Sequence, residues 1–181
     1  MLKLKYYFFK LLSFFIKSFG FNAFLAKLHY QVVCEGYRKK GAQIGANSLL
    51  IDCKLSSSSK GGCFFIGGSR TITGVTLLGH DASPALNILE LVNYHDVYLP
   101  EFRSSYRNPI KIGNNVFIGW STAILPGVEI GNNVVIGAGN VVVKNISDNC
   151  VAAGNLAKII KPIEDYIASY RDIMTQYPER F

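Results

Sequence analysis

The sequence lacks the residue patterns that build disulfide scaffolds and zinc sites. Its four cysteines stand at positions 34, 53, 63 and 150, with no CxxC pair and no regular spacing. This scatter is typical of reduced thiols in a cytoplasmic protein and does not suit a zinc knuckle. Only three histidines occur, His29, His80 and His95, and no two are close enough to supply a three-histidine metal site. We therefore predict no metal.

Charged residues are also scarce, at 17%, while 49% of the residues are hydrophobic. An intrinsically disordered chain needs low hydrophobicity and high net charge, so a wholly disordered protein is excluded. The length of 181 residues suits one domain with a sizeable core and leaves little room for two.

The net charge is concentrated at the N-terminus. Residues 1–40 carry eight cations (Lys3, Lys5, Lys10, Lys17, Lys27, Arg38, Lys39 and Lys40) against the single anion Glu35, which accounts for the whole formal charge of +7. A basic, aromatic segment of this kind favours an anionic surface, either nucleic acid or membrane.

The same segment shows helical periodicity. Its apolar residues recur at helical spacing (Leu4, Phe8, Leu11, Leu12, Phe15 and Phe19), and Lys3, Lys10, Ser13 and Lys17 fall on the other side. Lysines interrupt every window long enough to span a bilayer, and the uncharged run is short for a signal peptide. We expect residues 1–30 to lie on anionic lipid at the inner face of the membrane, without nucleic acid. Packing on the chain's own domain or on neighbouring subunits is the alternative.

A six-residue repeat runs through the middle of the chain. Every sixth residue from position 112 is aliphatic, namely Ile112, Ile118, Ile124, Ile130, Ile136 and Val142, and glycine follows at 113, 119, 131 and 137. The pattern predicts short strands joined by tight corners, with three strands per coil and about 4.8 Å of rise from coil to coil. A parallel β-helix results.

Other segments frame the repeat. The period is weaker upstream, at Ile44 and Leu50 and again at Ile66, Ile72 and Leu78, and it breaks over residues 82–109, which we interpret as a long excursion loop. We divide the chain into a basic N-terminal segment (1–40), the β-helix (41–161) and a C-terminal helix (162–181). That helix starts at Pro162, with Glu164 and Asp165 in its first turn, and would cap the end of the coils.

The stretch from Ile112 to Asn140, IGNNVFIGWSTAILPGVEIGNNVVIGAGN, resembles the hexapeptide-repeat acyltransferases, specifically the galactoside, maltose, xenobiotic and surface-polysaccharide O-acetyltransferases. The resemblance covers about Ile44 to Lys161. It implies an all-β, left-handed parallel β-helix, with the N-terminal amphipathic helix, excursion loop and C-terminal helix added to it. It also implies homotrimers that use acetyl-CoA at sites between adjacent subunits.

The family's chemistry rests on one histidine, and His80 in Leu78-Gly79-His80-Asp81 matches its position. An imidazole with an ordinary pKa near 6.5 is largely neutral at pH 7. It can therefore take the proton of an acceptor hydroxyl as the oxygen attacks the thioester, and no covalent enzyme intermediate is needed. Asp81 is a weaker candidate for orienting His80, since adjacent strand residues point to opposite faces.

The resemblance also assigns six cofactor positions. Trp120 would offer its backbone amide near the thioester, Ala138 would contact pantetheine, Val143 and Lys144 would lie beside the adenine end, and Lys158 and Lys161 would lie near the phosphates. Two residues depart from the family: Asn140 replaces the common serine, and Leu156 replaces the proline of Gly-Asn-Pro-Ala-Lys. The polar residues that hold galactosides find no match around positions 47–53.

We therefore predict an acetyl-CoA-dependent O-acetyltransferase that acts on a sugar hydroxyl of a surface-polysaccharide precursor. The excursion brings rings and guanidinium groups near His80, among them Tyr94, Tyr106, Arg103 and Arg107, which would suit a sugar and a carboxylate or phosphate. Two alternatives stay open: N-acylation of an amino sugar, and a non-catalytic trimeric scaffold at the membrane.

Overall fold

A computed structural model describes residues 22–56, 64–68, 70–91 and 104–181, together with Tyr7. Apart from Tyr7, which is helical and exposed, the predicted amphipathic helix of residues 1–20 lies outside the described residues. The described helices are α1 (Asn22–Arg38) and α2 (Ile163–Gln176), and short 3-10 helices cover Ser83–Leu86, Leu89–Leu91 and Pro178–Arg180. None of the described helices has the length and apolar character needed to cross a membrane.

Short strands make up the middle of the chain. In order they are β1 (Ala42–Ile44), β2 (Ser48–Ile51), β3 (Lys54–Ser56), β4 (Phe64–Ile66), β5 (Arg70–Thr73), β6 (Thr76–Leu78), β7 (His80–Asp81), β8 (Tyr106–Arg107), β9 (Ile110–Ile112), β10 (Val116–Ile118), β11 (Ala123–Ile124), β12 (Glu129–Ile130), β13 (Val134–Ile136), β14 (Val141–Val142), β15 (Cys150–Ala153) and β16 (Lys158–Pro162).

The strands enter three sheets in rotation. Sheet A has the order β1-β4-β9-β12, sheet B has β16-β15-β13-β10-β5-β2, and sheet C has β14-β11-β6-β3. Every pair in these sheets is parallel except β15 with β16. This rotation through parallel sheets is the arrangement predicted for a parallel β-helix.

The aliphatic repeat forms the core. In sheet B, Ile72, Ile118 and Ile136 are paired in register and fully buried, and in sheet C the matching column contains Leu77, Ile124 and Val142. The predicted inward position of Leu78 is wrong, because Leu77 is the fully buried residue. The coil that contains Ile72 and Leu77 has one residue fewer between its sheet B and sheet C positions than the coil that contains Ile118 and Ile124, and this difference shifts the register by one residue.

Close contact between coils explains the Ile-Gly-Asn-Asn signature. A Cβ atom on Gly113 would lie 2.3 Å from the carbonyl oxygen of Gly131 in the next coil, so only glycine allows this stacking. The second asparagines adopt left-handed φ near +55°, which asparagine tolerates better than most residues. Their carboxamides form a ladder, in which Asn115 Nδ2 donates to Asn133 Oδ1 at 2.9 Å and Asn133 Nδ2 donates to Asn149 Oδ1 at 2.8 Å.

The two helices pack at different places. In α1, Cys34 is buried and the Tyr37 hydroxyl donates to the Cys53 carbonyl oxygen at 2.7 Å, which ties the helix to the first coil. In α2, by contrast, no residue is buried. Ile163, Tyr166 and Ile167 line a groove of about 550 Å³ with outer residues of sheet B, so α2 lies beside that sheet, whereas we expected it to cap the coils.

Candidate active site

The excursion leaves and rejoins the coils through a two-stranded antiparallel ribbon. Strand β7 follows the end of β6 after Gly79, and it pairs with β8 so that His80 stands opposite Arg107 and Asp81 opposite Tyr106. Within the predicted excursion of residues 82–109, the described parts are 82–91 and 104–109, and Tyr94, His95 and Arg103 lie outside them. The ribbon therefore places His80 at the corner where sheet C gives way to sheet A, the C-to-A corner.

His80 is half-buried and its ring is held by the coil below. The Nδ1 atom lies 3.3 Å from the carbonyl oxygen of Ser56, the last residue of β3. A carbonyl oxygen can only accept a hydrogen bond, so in the neutral ring Nδ1 carries the proton. Nε2 then has a lone pair available, which is the state that a general base requires. Ser56 carries no sequence signal for this role, because its contact depends on how the coils stack.

Asp81 does not orient the imidazole through a hydrogen bond. Its Oδ1 accepts from the backbone N–H of Ser83 at 2.8 Å, at the start of the first 3-10 helix. Hydrogen bonds from the Ser83 backbone and side chain lower the pKa of the Asp81 carboxyl. Asp81 therefore stabilises the turn that begins the excursion, in agreement with its low ranking from the sequence.

Trp120 and Ala138 stand one above the other at the corner between sheets B and C, the B-to-C corner. The register of β10, β13 and β15 aligns Ile118, Ile136 and Ala152, so residues 120, 138 and 154 form a column with a step of about 4.8 Å. The Trp120 side chain is 55% exposed, and Ala138 is exposed as well. Among the described residues, none accepts a hydrogen bond from the Trp120 amide.

The four remaining predicted cofactor residues lie toward the C-terminal end of the coils. Val143 is half-buried and Lys144 exposed, just after β14 at the C-to-A corner. Lys158 and Lys161 belong to β16, which is brought beside β14 by the hydrogen bond from the Ala157 N–H to the Val141 carbonyl at 2.8 Å. Lys158 is exposed, and the Lys161 ammonium lies 5.5 Å from the centre of the Tyr166 ring.

A buried asparagine connects the B-to-C corner to the C-terminal segment. Asn140 is only 3% exposed; its Oδ1 accepts from the Gly154 N–H, and its Nδ2 donates to the Ala138 carbonyl oxygen at 3.3 Å. From the sequence, Asn140 is only a departure from a common serine, and its structural role is missed. Valine or threonine fills this repeat position elsewhere (Val116, Thr122, Val128 and Val134), and a carboxamide there is the one signal that could have revealed it.

Five of the seven predicted site residues form two groups within one chain, and the other two, Lys158 and Lys161, belong to β16. His80, Val143 and Lys144 lie at the C-to-A corner, and Trp120 and Ala138 lie at the B-to-C corner. The side of the coil between these corners is about six residues long, which corresponds to roughly 20 Å of extended chain. One chain therefore does not bring His80 next to Trp120.

A groove formed by described residues lies away from the predicted site residues. It measures about 850 Å³ on the outer face of sheet A, is crossed by the Lys111–Glu129 ion pair at 2.5 Å, and contains none of the predicted site residues. Within the described ranges, no group of three or more His, Cys, Asp or Glu side chains could hold a metal ion.

Comparison with known proteins places this geometry among hexapeptide-repeat proteins. Residues 109–144 match a family model described as a hexapeptide repeat of succinyl-transferase. Protein CapG of Staphylococcus aureus is 41% identical over 134 residues, which is 71% of this chain and 70% of CapG. The galactoside O-acetyltransferase of Escherichia coli K12 is 44% identical over 90 residues, covering 49% of this chain and 44% of that enzyme.

Solved structures agree on the fold. A hexapeptide-repeat acetyltransferase from Vibrio cholerae, complexed with acetyl-CoA, has a TM-score of 0.54 at 17% identity and covers 90% of this chain and 87% of its own. A polysialic acid O-acetyltransferase has a TM-score of 0.50 at 29% identity, covering 67% and 54%. These neighbours imply a left-handed β-helix, which the parallel sheets fit. The chain spans from 31% to 70% of the length of the first curated relatives.

Proposed function

Because the chain belongs to the hexapeptide-repeat acyltransferases, we propose that it transfers the acetyl group of acetyl-CoA to a sugar hydroxyl. The observation that carries the proposal is the His80 ring, which donates through Nδ1 to the Ser56 carbonyl and keeps Nε2 available as a base. The named relatives support the reaction class, since they include a galactoside O-acetyltransferase and a polysialic acid O-acetyltransferase.

The reaction proceeds by direct attack. Nε2 of His80 takes the proton of the acceptor hydroxyl while the oxygen forms a bond to the thioester carbonyl carbon. The carbonyl oxygen gains negative charge and accepts a hydrogen bond from the Trp120 amide, a kind of contact worth about 3 to 4 kcal/mol in comparable sites. The tetrahedral intermediate then expels CoA as its sulfur leaves the carbon, and the imidazolium returns its proton to that sulfur.

The separation of the two corners requires a second copy of the chain. A thioester at Trp120 lies roughly 20 Å from His80 of the same chain, too far for direct transfer. The outer face of sheet C separates the two corners, so the site is complete only where the C-to-A corner of one copy faces the B-to-C corner of another. We propose a homotrimer with three such sites, which light scattering after size exclusion would establish by its mass; a monomer active at nanomolar concentration would contradict it.

The donor would lie along the column at the B-to-C corner. Trp120 would be closest to the thioester, Ala138 would contact pantetheine one coil farther on, and Lys158 and Lys161 on β16 would meet the phosphates. Val143 and Lys144 lie at the C-to-A corner, so the pair beside the adenine would come from the facing copy of the chain. Lysine supplies charge to the phosphates without the bidentate geometry of arginine.

His80→Ala and His80→Asn test the chemistry. Asparagine keeps a donor toward Ser56 and removes the base, so both variants should lose about 10²- to 10⁴-fold in kcat with little change in KM for acetyl-CoA. CoA release is followed by chromatography with a panel of sugars that offer either a hydroxyl or an amine, which also separates O- from N-acetylation. A wild-type kcat in both variants, with the trimer intact, would remove His80 from the mechanism.

We also propose that the enzyme works at the inner face of the membrane on a precursor of a surface polysaccharide. The support is the basic segment of residues 1–30 and its apolar periodicity. Because α1 packs on the first coil, the test replaces charges instead of truncating: Lys3, Lys10 and Lys17 to glutamine should weaken sedimentation with anionic vesicles, by about 1 kcal/mol per lysine. Equal binding to anionic and neutral vesicles would refute membrane attachment by charge.

A further inference from the structure

We propose that Arg107 selects acceptors that carry an anionic group, a carboxylate or a phosphate, next to the hydroxyl that is acetylated. The inference rests on the proposed function, because it takes His80 as the base. It adds a specificity-determining residue and narrows the acceptor from sugars in general to acidic or phosphorylated sugars.

The strand register places Arg107 beside the base. In the antiparallel pair of β7 and β8, Arg107 stands directly opposite His80. Residues directly opposite each other in such a pair project from the same face, with Cβ atoms about 4.5–5.5 Å apart. The neighbouring pair, Asp81 and Tyr106, projects from the other face. The His80 face of the ribbon thus presents an imidazole and a guanidinium, and the Asp81 carboxylate is on the opposite face, bound to the Ser83 N–H.

Strand β8, which carries Arg107, is attached to the coil that contains Gly127. Gly127 donates its N–H to the Asn108 carbonyl oxygen at 3.2 Å, and Asn108 Nδ2 donates to the Tyr106 hydroxyl at 3.0 Å. These contacts hold β8 against the C-to-A corner while Arg107 itself is exposed. A guanidinium on a held strand can engage an incoming anion without a large rearrangement of the backbone.

The spacing suits a single sugar ring. A hydroxyl that contacts His80 Nε2 and an anionic group that contacts the Arg107 guanidinium would then belong to the same sugar or to a sugar and its adjoining phosphate. Guanidinium binds carboxylate and phosphate through two parallel hydrogen bonds, which lysine cannot reproduce. Removal of such a charge-assisted contact lowers binding by about 10- to 100-fold.

The experiment measures kcat/KM for matched acceptors. Glucose, glucuronate and glucose 1-phosphate supply neutral, carboxylate and phosphate arms, and each is assayed with acetyl-CoA for wild type, Arg107→Gln, Arg107→Lys and Arg171→Gln. Arg171→Gln removes the same charge from the exposed face of α2, far from the ribbon. Binding of the three sugars to the full-length protein with CoA is measured in parallel by calorimetry, and KM for acetyl-CoA monitors folding of the site.

We expect wild type to prefer the anionic sugars. Arg107→Gln should lower the anionic-to-neutral ratio of kcat/KM by about 10- to 100-fold, and Arg107→Lys should show a smaller loss. The control Arg171→Gln should leave the ratio at its wild-type value. The arm that loses more identifies carboxylate or phosphate as the recognised group. An unchanged ratio in Arg107→Gln, or no binding of any anionic sugar by wild type, would overturn the inference. His80-dependent acetylation of neutral sugars would still support the proposed function, whereas turnover independent of His80 would overturn that function instead.

Discussion

Asn140 offers the sharpest test of how the coils hold the B-to-C corner. Asn140→Ala removes the acceptor of the Gly154 N–H and the donor to the Ala138 carbonyl from a site that is 3% exposed. Each lost hydrogen bond costs about 1 kcal/mol net, and the vacated volume adds about 1 kcal/mol more. We therefore expect a loss of about 2 to 4 kcal/mol, or roughly 6 to 12 °C in Tm for a chain of this size.

The same substitution should affect donor binding. Ala138 and Gly154 belong to the column along which pantetheine is proposed to run, so KM for acetyl-CoA should rise severalfold while kcat falls less. Thermal unfolding at one protein concentration measures the stability, since trimer assembly makes Tm depend on concentration. Asn140→Ser should give an intermediate loss, and Asn87→Ala, an exposed asparagine, should stay within about 0.5 kcal/mol of wild type. Equal Tm values for Asn140→Ala and Asn87→Ala would refute the reasoning.

Two other predictions follow from the packing. Gly113→Ala should abolish the soluble trimer, because its Cβ would meet the Gly131 carbonyl oxygen at 2.3 Å. Gly139→Ala should lower the stability by only about 1 to 2 kcal/mol, since Gly139 has a φ of +71° but no atom lies within 4 Å of the added Cβ. Soluble expression and Tm of the two variants test this difference. Burial raises the pKa of the Cys53 thiol above 9.0, so the folded state keeps a proton that the unfolded chain releases. The protonated Cys53 thiol contributes its full stabilisation below about pH 9, and this stabilisation is lost as the pH rises above that value. Above about pH 9, Tm should therefore fall more steeply with pH in wild type than in Cys53→Ala. Equal slopes of Tm against pH would contradict a contribution from Cys53.

The repeat could be predicted from the sequence because each of its signals has a direct physical cause. An aliphatic residue every sixth position fills one column of the core, and the following glycine is required by the contact between Gly113 and Gly131. The prediction that Leu78 points inward was wrong because a corner can be one residue shorter without disturbing the strands on either side. A sequence period assumes a fixed number of residues between core positions, and the spacing from Ile72 to Leu77 is one residue shorter than that period. The pairing of Leu77 with Ile124 in sheet C is kept all the same.

The candidate site was only partly accessible to the same reasoning. His80 could be chosen from its motif, but its partner Ser56 is a backbone carbonyl in another coil, and a carbonyl has no sequence identity. Arg107 could be named as one cation in a loop, yet its place opposite His80 depends on the register of a two-residue ribbon. Such registers are weakly specified by sequence, since neither strand has a buried face long enough to define one.

The corners of the β-helix, in contrast to its strands, can accept inserted residues without disturbing the core. Ile66 and Ile112 pair in sheet A although the whole excursion lies between them, and Leu77 and Ile124 pair in sheet C across the same interruption. The stacking therefore continues as if the excursion were absent, and the pairing of β7 with β8 joins the two ends of the insertion. Residues that choose the acceptor should accordingly lie in the insertion at the C-to-A corner, while residues that bind the common donor should lie in the regular coils. The roles proposed for His80 and Arg107 on the ribbon, and for Trp120 and Ala138 on the coils, would follow this division.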